Sequence, residues 1–345
     1  MNADVASAEL PYAFGPPPAS GGLRQTPEDF QVDEDLGFAP DGEGEHLWLW
    51  VEKRGVNTDQ VARQLAKLAG VRQVDVSYAG LKDRHAVTRQ WYSLHVPKGA
   101  MEQAAHWHDP QWRVLQLARA RRKIRRGSLH GNRFVITLRE VRGDKQAIEA
   151  RLGEIAVRGV PNYFGEQRFG HDNIARAEAM ARGELRVADR HLRGIYLSGL
   201  RSALFNAVLA RRVNDENWDK VLDGEALNLN GSRSFFVADD IDAVILNRLA
   251  TGDIHPSGPL WGRGEPPSRG GALVLEQAVI ATCPELWRQA CSDAGMEQER
   301  RPLRLAVQGL QWQWCDDALL RLEFALPAGA YATALIREVA DTRGA

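Results

Sequence analysis

Hydrophobic residues recur at every second position in two early stretches, "DFQVDED" and "HLWLWVEK", placing Phe30 and Val32, then Leu47, Leu49 and Val51, on repeating faces. A period of two is the signature of half-buried strands. The period then changes. In "NTDQVARQLAKLAG", Val61, Leu65 and Leu68 line one helical face, Asn57 or Thr58 can cap the start, and Gly70 stops it. "VDVSYAG" and "AVTRQWYSLHV" return to the strand pattern, the second setting Val87, Arg89, Trp91, Ser93 and His95 against Thr88, Gln90, Tyr92 and Leu94. Residues 80–84 are read as the turn between them. "RVLQLAR" and "RFVITLREV" add two more strands around a basic segment.

The texture shifts near Gly159. "KQAIEARLGEIAVRG" is amphipathic with Ile148, Leu152 and Ile155 in register, and "NIARAEAMARG", "LSGLRSALFNAVLARRV" and "DDIDAVILNRLATG" continue the helical period. Strands return only at the end, where "LRLAVQG", "QWQWC" and "LLRLEFALP" surround a turn at Asp316 and Asp317, before a last helix in "YATALIREVAD". Strands, helices, then strands is the order of an inserted domain. The pattern predicts an α+β protein in which 1–159 and 306–345 form one discontinuous domain and 160–305 an inserted, α-rich α/β lobe.

Composition narrows the partners. The chain has 345 residues, 44% hydrophobic and 26% charged, and no run approaches the roughly 18 apolar residues of a membrane span. Its start, "MNADVASAELPYAFGPPPASGG", carries acids and no apolar core of a secretory signal, so a cytoplasmic protein is expected. Cys283, Cys291 and Cys315 are too few and too irregular for a disulfide framework or a metal site and read as reduced thiols. A net charge of −1 argues against nucleic-acid binding over the whole surface. Residues 119–133, "RARRKIRRGSLHGNR", argue for a local patch, with Arg119, Arg121, Arg122, Lys123, Arg125, Arg126 and Arg133 and no acid.

Candidate chemistry begins at "GLKDRHAVTRQW". A carboxylate among cations is favoured in its ionised form, so Asp83 is a candidate nucleophile or base; the plainer reading is a turn cap or surface ion pair. If the segment is extended, Lys82 and Arg84 project to the face opposite Asp83. The stabilising cation must then come from elsewhere, with Arg24 and the arginines of 119–126 as candidates. In "GNRF", Asn132 can bond a base or backbone edge and Phe134 can stack on a ring, against the plainer reading of a turn Asn before a core Phe. His106 and His108 in "HWH" lack a third ligand at a recognisable spacing, and no metal is expected. "GRGEPPSRGG" lacks the Lys-Ser/Thr end of a phosphate-binding loop, and no nucleotide cofactor is expected.

Six stretches in this order, "PEDFQVDEDLGF", "GEHLWLWVEKRGVNT", "AGLKDRHAVTRQW", "GNRFVITLR", "VPNYFGEQRFG" and "LPAGAYATALIRE", cover nearly the whole chain. Together they resemble the TruD family of tRNA pseudouridine synthases. The specific pair is "GxKDxxAxTxQ" followed at a distance by "NYFGxQRFG". The resemblance implies a pseudouridine-synthase-like domain with a mixed, mainly antiparallel sheet and RNA in the cleft beside the inserted lobe. It implies isomerisation of uridine to pseudouridine in tRNA, expected at position 13, with no cofactor and a monomeric enzyme. It places the essential aspartate at Asp83 and substrate contacts at Phe30, Asn132 and Tyr331; Phe134, Arg24, Lys82 and Arg84 join the substrate-binding set. Two departures stand out: Tyr331 where Phe is expected, and Arg24 where many relatives carry Lys.

The chemistry fits such a reading. The base must leave its stack, lose its glycosidic bond, turn and rejoin through carbon. Asp83 either attacks C1′ or removes the C2′ proton. Two other classes remain: a non-catalytic RNA-binding factor, and a glycoside hydrolase pairing Asp83 with a second acid such as Glu166.

Overall fold

The period-two stretches become strands of one sheet. The computed structural model describes residues 10–96, 101–165, 168–170, 172–238 and 240–343, and packing divides them into two units. The sheet-rich unit takes 18–148, 307–329 and 340–343. Its first segment supplies β1 (Ala19–Leu23), β2 (Phe30–Asp35), β3 (His46–Arg54), β4 (Val76–Tyr78), β5 (Val87–His95), β6 (His108–Asp109), β7 (Trp112–Ala120) and β8 (Gly131–Gly143). The helix Thr58–Ala69 follows β3 and ends at Gly70, whose φ of 65° is the left-handed turn that a side chain would resist. Its buried stripe is Val61, Ala62, Leu65 and Ala66, packed on Leu47, Leu49, Val51, Tyr92 and Leu94. Leu68, expected on that stripe, is half exposed, because the alanines rotate the stripe and leave it at the margin.

The helix-rich unit takes 10–17, 149–306 and 330–339. The helix Lys145–Arg158 leads into it, with Ile148, Leu152 and Ile155 fully buried. The helix Arg190–Asn214 is its axis, capped by Asp189 and packed against Asn173–Ala181, Gly270–Thr282 and Glu285–Asp293 around Leu200, Leu204, Val208 and Trp287. This unit also holds strands that hydrophobic period alone did not reveal. A short pair joins β9 (Val160–Pro161) to a later strand, while β10 (Ala226–Leu229), β11 (Phe235–Val237), β12 (Ile254–Leu260) and β13 (Glu299–Pro302) make an antiparallel sheet in the order β11-β10-β12-β13. These strands are short, and Pro256 and Pro259 inside β12 argue against a strand when read alone. The partner of β9 is β14 (Arg304–Leu305).

The chain then returns with β15 (Gln308–Asp316), β16 (Leu319–Pro327) and, after the helix Ala332–Val339, β17 (Ala340–Asp341). The resulting eleven-stranded sheet runs β15-β16-β8-β2-β5-β3-β7-β6, with β1 joining β8 to β17 and β4 beside β5. Most pairs are antiparallel, but β2–β5 and β1–β17 are parallel. The sequence boundaries at 159/160 and 305/306 put 10–17, 149–159 and 330–339 with the sheet, whereas by packing they group with the helices. The reason is visible in the helix Ala332–Val339: Arg337 donates to the carbonyls of Leu10 and Pro11, and Glu338 accepts from the Ala13 amide.

Candidate active site

Register fixes which residues share a face of the sheet. Directly paired residues point the same way, so Phe30, Val32 and Glu34 on β2 lie beside Ile136, Phe134 and Asn132 on β8, and these beside Leu322, Phe324 and Leu326 on β16. In the other direction, Val32 is level with Thr88 on β5, and Thr88 with Lys53 on β3. The opposite face carries Asp33, Arg89, Glu52 and Arg113, which form one ion-pair network. Period two has therefore sorted an aromatic and polar set, Phe30, Glu34, Lys53, Thr88, Gln90, Asn132 and Phe134, onto a single side.

Asp83 sits on the irregular segment between β4 and β5, next to this face. Its carboxylate is one-quarter exposed and lies 3.1 Å from an Arg24 guanidinium nitrogen. The other carboxylate oxygen accepts the His85 amide at 2.9 Å. Arg24 in turn lies over the Phe30 ring, 4.0 Å from its centroid. Arg24 adopts φ 62°, a left-handed conformation that costs a non-glycine residue on the order of 1 kcal/mol. The strain is local to the cation that meets Asp83.

The segment is gripped from below by main-chain contacts. Lys53, fully buried, donates to the carbonyls of Asp83 at 2.7 Å, Val56 at 3.0 Å and Lys82 at 3.4 Å. The Thr58 hydroxyl accepts the Lys82 amide at 3.0 Å and donates to Gln90 at 3.0 Å. Gln90 closes the ring by donating to the Gly80 carbonyl at 3.0 Å. Lys82 points inward as well, paired at 3.1 Å with the buried Glu34, which also accepts the Trp91 amide. Burial pushes the Glu34 carboxyl above the usual carboxylate range, and the Lys82 charge works against that rise. Arg84 stays at the surface, with a long 3.4 Å contact to the Gly55 carbonyl.

Phe30 and Phe134 are both buried and meet edge to face at 6.1 Å, while Phe134 stacks on Phe324 at 5.3 Å. Asn132 is level with Glu34, and its amide oxygen has no hydrogen-bond partner among the described residues. The Thr88 hydroxyl and Arg24 Nε are likewise buried and unpartnered there. Buried polar atoms are normally satisfied, so three on one face mark a place prepared for a further polar group. Asp83, Arg24, Phe30, Asn132 and Phe134 are thus gathered in the sheet-rich unit. Tyr331 belongs to the helix-rich unit, where its ring meets Phe164 at 6.5 Å. Glu166 lies outside the described residues.

The basic segment joins the same neighbourhood. The Gly127 amide donates to the Ala79 carbonyl, tying 121–130 to the chain just before Asp83, and Arg126 lies 3.7 Å over the Tyr78 ring. Distant acids answer part of its charge: Glu43 pairs with Arg121, and Asp59 approaches Arg126 at 3.9 Å. Among the described residues, Arg122, Lys123, Arg125 and Arg133 meet no carboxylate. No group of three or more His, Cys, Asp or Glu side chains there is placed to hold a metal ion, and no helix there is long and apolar enough to cross a membrane.

Lys53, Thr58, Gln90 and Glu34 were given no part in the site from sequence, Thr58 entering only as a helix cap and Gln90 only within a motif, yet they shape it. The signal was present. Lys53 continues the inward series of Leu47, Leu49 and Val51, and Glu34 that of Phe30 and Val32, and a charge at an inward strand position needs a partner.

Known proteins resemble this chain over nearly its whole length. The family model for tRNA pseudouridine synthase D (TruD) matches residues 9–188 and 172–339. A tRNA pseudouridine synthase D from Xanthomonas euvesicatoria pv. vesicatoria is 50% identical over 353 residues, 97% of this chain and 95% of that protein. One from Nitrosococcus oceani is 49% identical over 351 residues, 100% of this chain and 98% of that protein. The crystal structure of a putative tRNA pseudouridine synthase D (TruD) from Methanosarcina mazei superposes with a TM-score of 0.71 over 95% of each chain at 21% identity, a likeness of fold.

Proposed function

The chain belongs to the tRNA pseudouridine synthase D (TruD) family, and from that premise we propose that Asp83 is the residue through which it acts on uridine. The protein is a tRNA pseudouridine synthase, an isomerase that converts uridine to pseudouridine in tRNA. The expected target is the uridine at position 13. The observation that carries the assignment of Asp83 is its one-quarter-exposed carboxylate, held by Arg24 at 3.1 Å and the His85 amide at 2.9 Å beside an aromatic cluster.

The reaction breaks the N1–C1′ bond, forms a C5–C1′ bond, moves the C5 proton to solvent and leaves a proton on N1. Asp83 opens it by attacking C1′ or by removing the C2′ proton, and either requires an extruded nucleotide. Arg24 orients the carboxylate by a charge-assisted contact. A uracil stacked on Phe30 displaces the Arg24 guanidinium from that ring, and the free amide oxygen of Asn132 accepts from the base or its backbone. Phe134, backed by Phe324, keeps the floor beneath the base apolar. Lys82 supports the segment through Glu34, and Arg84, with the arginines of 119–126, grips neighbouring phosphates. Tyr331 contributes a further aromatic contact with substrate. Catalysis is assigned to the sheet-rich part of the chain, by a cytoplasmic monomer that needs no cofactor.

The test is release of tritium from tRNA carrying [5-³H]uridine, with the product mapped by carbodiimide-dependent reverse-transcription stops. Wild type should release tritium and give one stop at position 13, and Asp83→Ala should give neither. Undiminished release by Asp83→Ala would refute the role of Asp83. Binding of tRNA without release by wild type would favour the non-catalytic RNA-binding factor.

A further inference from the structure

An ammonium group has three hydrogens, and the fully buried Lys53 spends them on three carbonyls, those of Val56, Lys82 and Asp83. The shortest of the three contacts, 2.7 Å, is to the main chain of the very residue whose carboxylate faces Arg24. We infer that Lys53 is a positioning residue for the reaction: from inside the sheet it gathers these carbonyls and so sets where the Asp83 carboxylate is presented. This rests on the reading of Asp83 given above.

Position 53 has no need of a charge for the sake of the core. Its neighbours across the sheet are Thr88 on β5 and Trp112 on β7, neither ionisable near neutral pH, and the positions before it on the same face are apolar. A charged lysine here opposes folding, since desolvation lowers its pKa to about 8 against the pull of Asp83, with Lys82 adding to the fall. Those two are the charged groups that act on it among the described residues. Once neutral, the amine keeps two hydrogens for three carbonyls and releases one of them.

A catalytic carboxylate displaced by about 1 Å can lose on the order of 100-fold in rate. Single-turnover pseudouridine formation at saturating tRNA is therefore the measurement, with the tRNA dissociation constant and thermal melting read on the same samples. Lys53→Met should melt cooperatively, bind tRNA within about threefold of wild type and react about 100-fold more slowly. A second arm needs no variant that must fold. The wild-type rate should fall as pH rises through about 8, as the Lys53 ammonium loses its charge.

A wild-type rate level from pH 6.5 to 9.5 overturns the inference, and so does a folded Lys53→Met with the wild-type rate. Asp83→Asn, run alongside, judges the other reading separately. Turnover in Asp83→Asn sinks the role of Asp83, whereas inactive Asp83→Asn beside fully active Lys53→Met removes only the role of Lys53.

Discussion

Two arginines, one in each unit, show two uses of a cation held inside a fold. In the helix-rich unit the Arg300 side chain is fully enclosed and saturated: it donates to both Glu276 oxygens and to Ser257, while Ser268 donates to Glu276. Nearby, Arg212 is closed in the same way by Glu225 and the carbonyls of Asn217 and Lys220. In the sheet-rich unit Arg24 is partly exposed, carries a left-handed backbone, meets one carboxylate and one ring, and leaves Nε unanswered. A saturated network specifies a shape; an unsaturated one is complete only when something else arrives. The contrast assigns stability to the first and chemistry to the second.

Four measurements bear on that division, beginning with the largest effect. Asp83→Ala should lower single-turnover pseudouridine formation by at least about 10³-fold while leaving the melting temperature within a few degrees. Melting that collapses with it would make Asp83 a structural residue. Glu276→Ala should do the reverse, removing about 3–5 kcal/mol of stability by stranding Arg300, yet leaving the rate of the remaining folded protein near wild type. Denaturant titration paired with that rate decides it, and an unchanged midpoint would refute the claim that the closed pair holds the unit together.

Arg24→Met should cost about 1.5–3 kcal/mol in the activation barrier, roughly 10- to 150-fold in rate, with little change in melting. A rate equal to wild type would detach Arg24 from the chemistry. The smallest effect concerns Glu338, whose carboxyl is pushed up to about 7 by burial, against the pull of Arg337. Its folded pKa lies above its unfolded one, so its contribution is full at low pH and is lost as pH rises toward and through about 7. Glu338→Gln should narrow the difference in stability between pH 5 and pH 8 by on the order of 1 kcal/mol. An unaltered difference would show that Glu338 is not the titrating group.

Much of this architecture is legible in the chain, and the exceptions share causes. The strands around Phe30, Leu47, Val87 and Phe134 are found by alternation because one side of each is more uniformly buried and apolar than the other. β10 to β13 escape, being short and, in β12, interrupted by prolines whose missing amides the ladder tolerates. That the partner of Asp83 is neither Lys82 nor Arg84 is readable from their places on either side of the acid, but the choice of Arg24 over the arginines of 119–126 comes only from the fold. What pattern cannot supply is pairing across the fold. Lys82 with Glu34 and Lys53 with the Asp83 carbonyl depend on which strands become neighbours, and β2 beside β5 is a parallel crossover that local sequence does not announce.

Main-chain tethering of the Asp83 segment bears on how the protein tolerates heritable change. Gly80, Lys82 and Asp83 are held through backbone atoms, so the information that shapes this short stretch is stored in Lys53, Thr58 and Gln90, all outside it. Leu81 and His85, whose side chains take no part in that grip, are open to drift. A mutational scan confined to residues 80–86 would report Lys82, Asp83 and Ala86 as constrained and overlook Lys53, Thr58 and Gln90, which lie outside that window and give it its form.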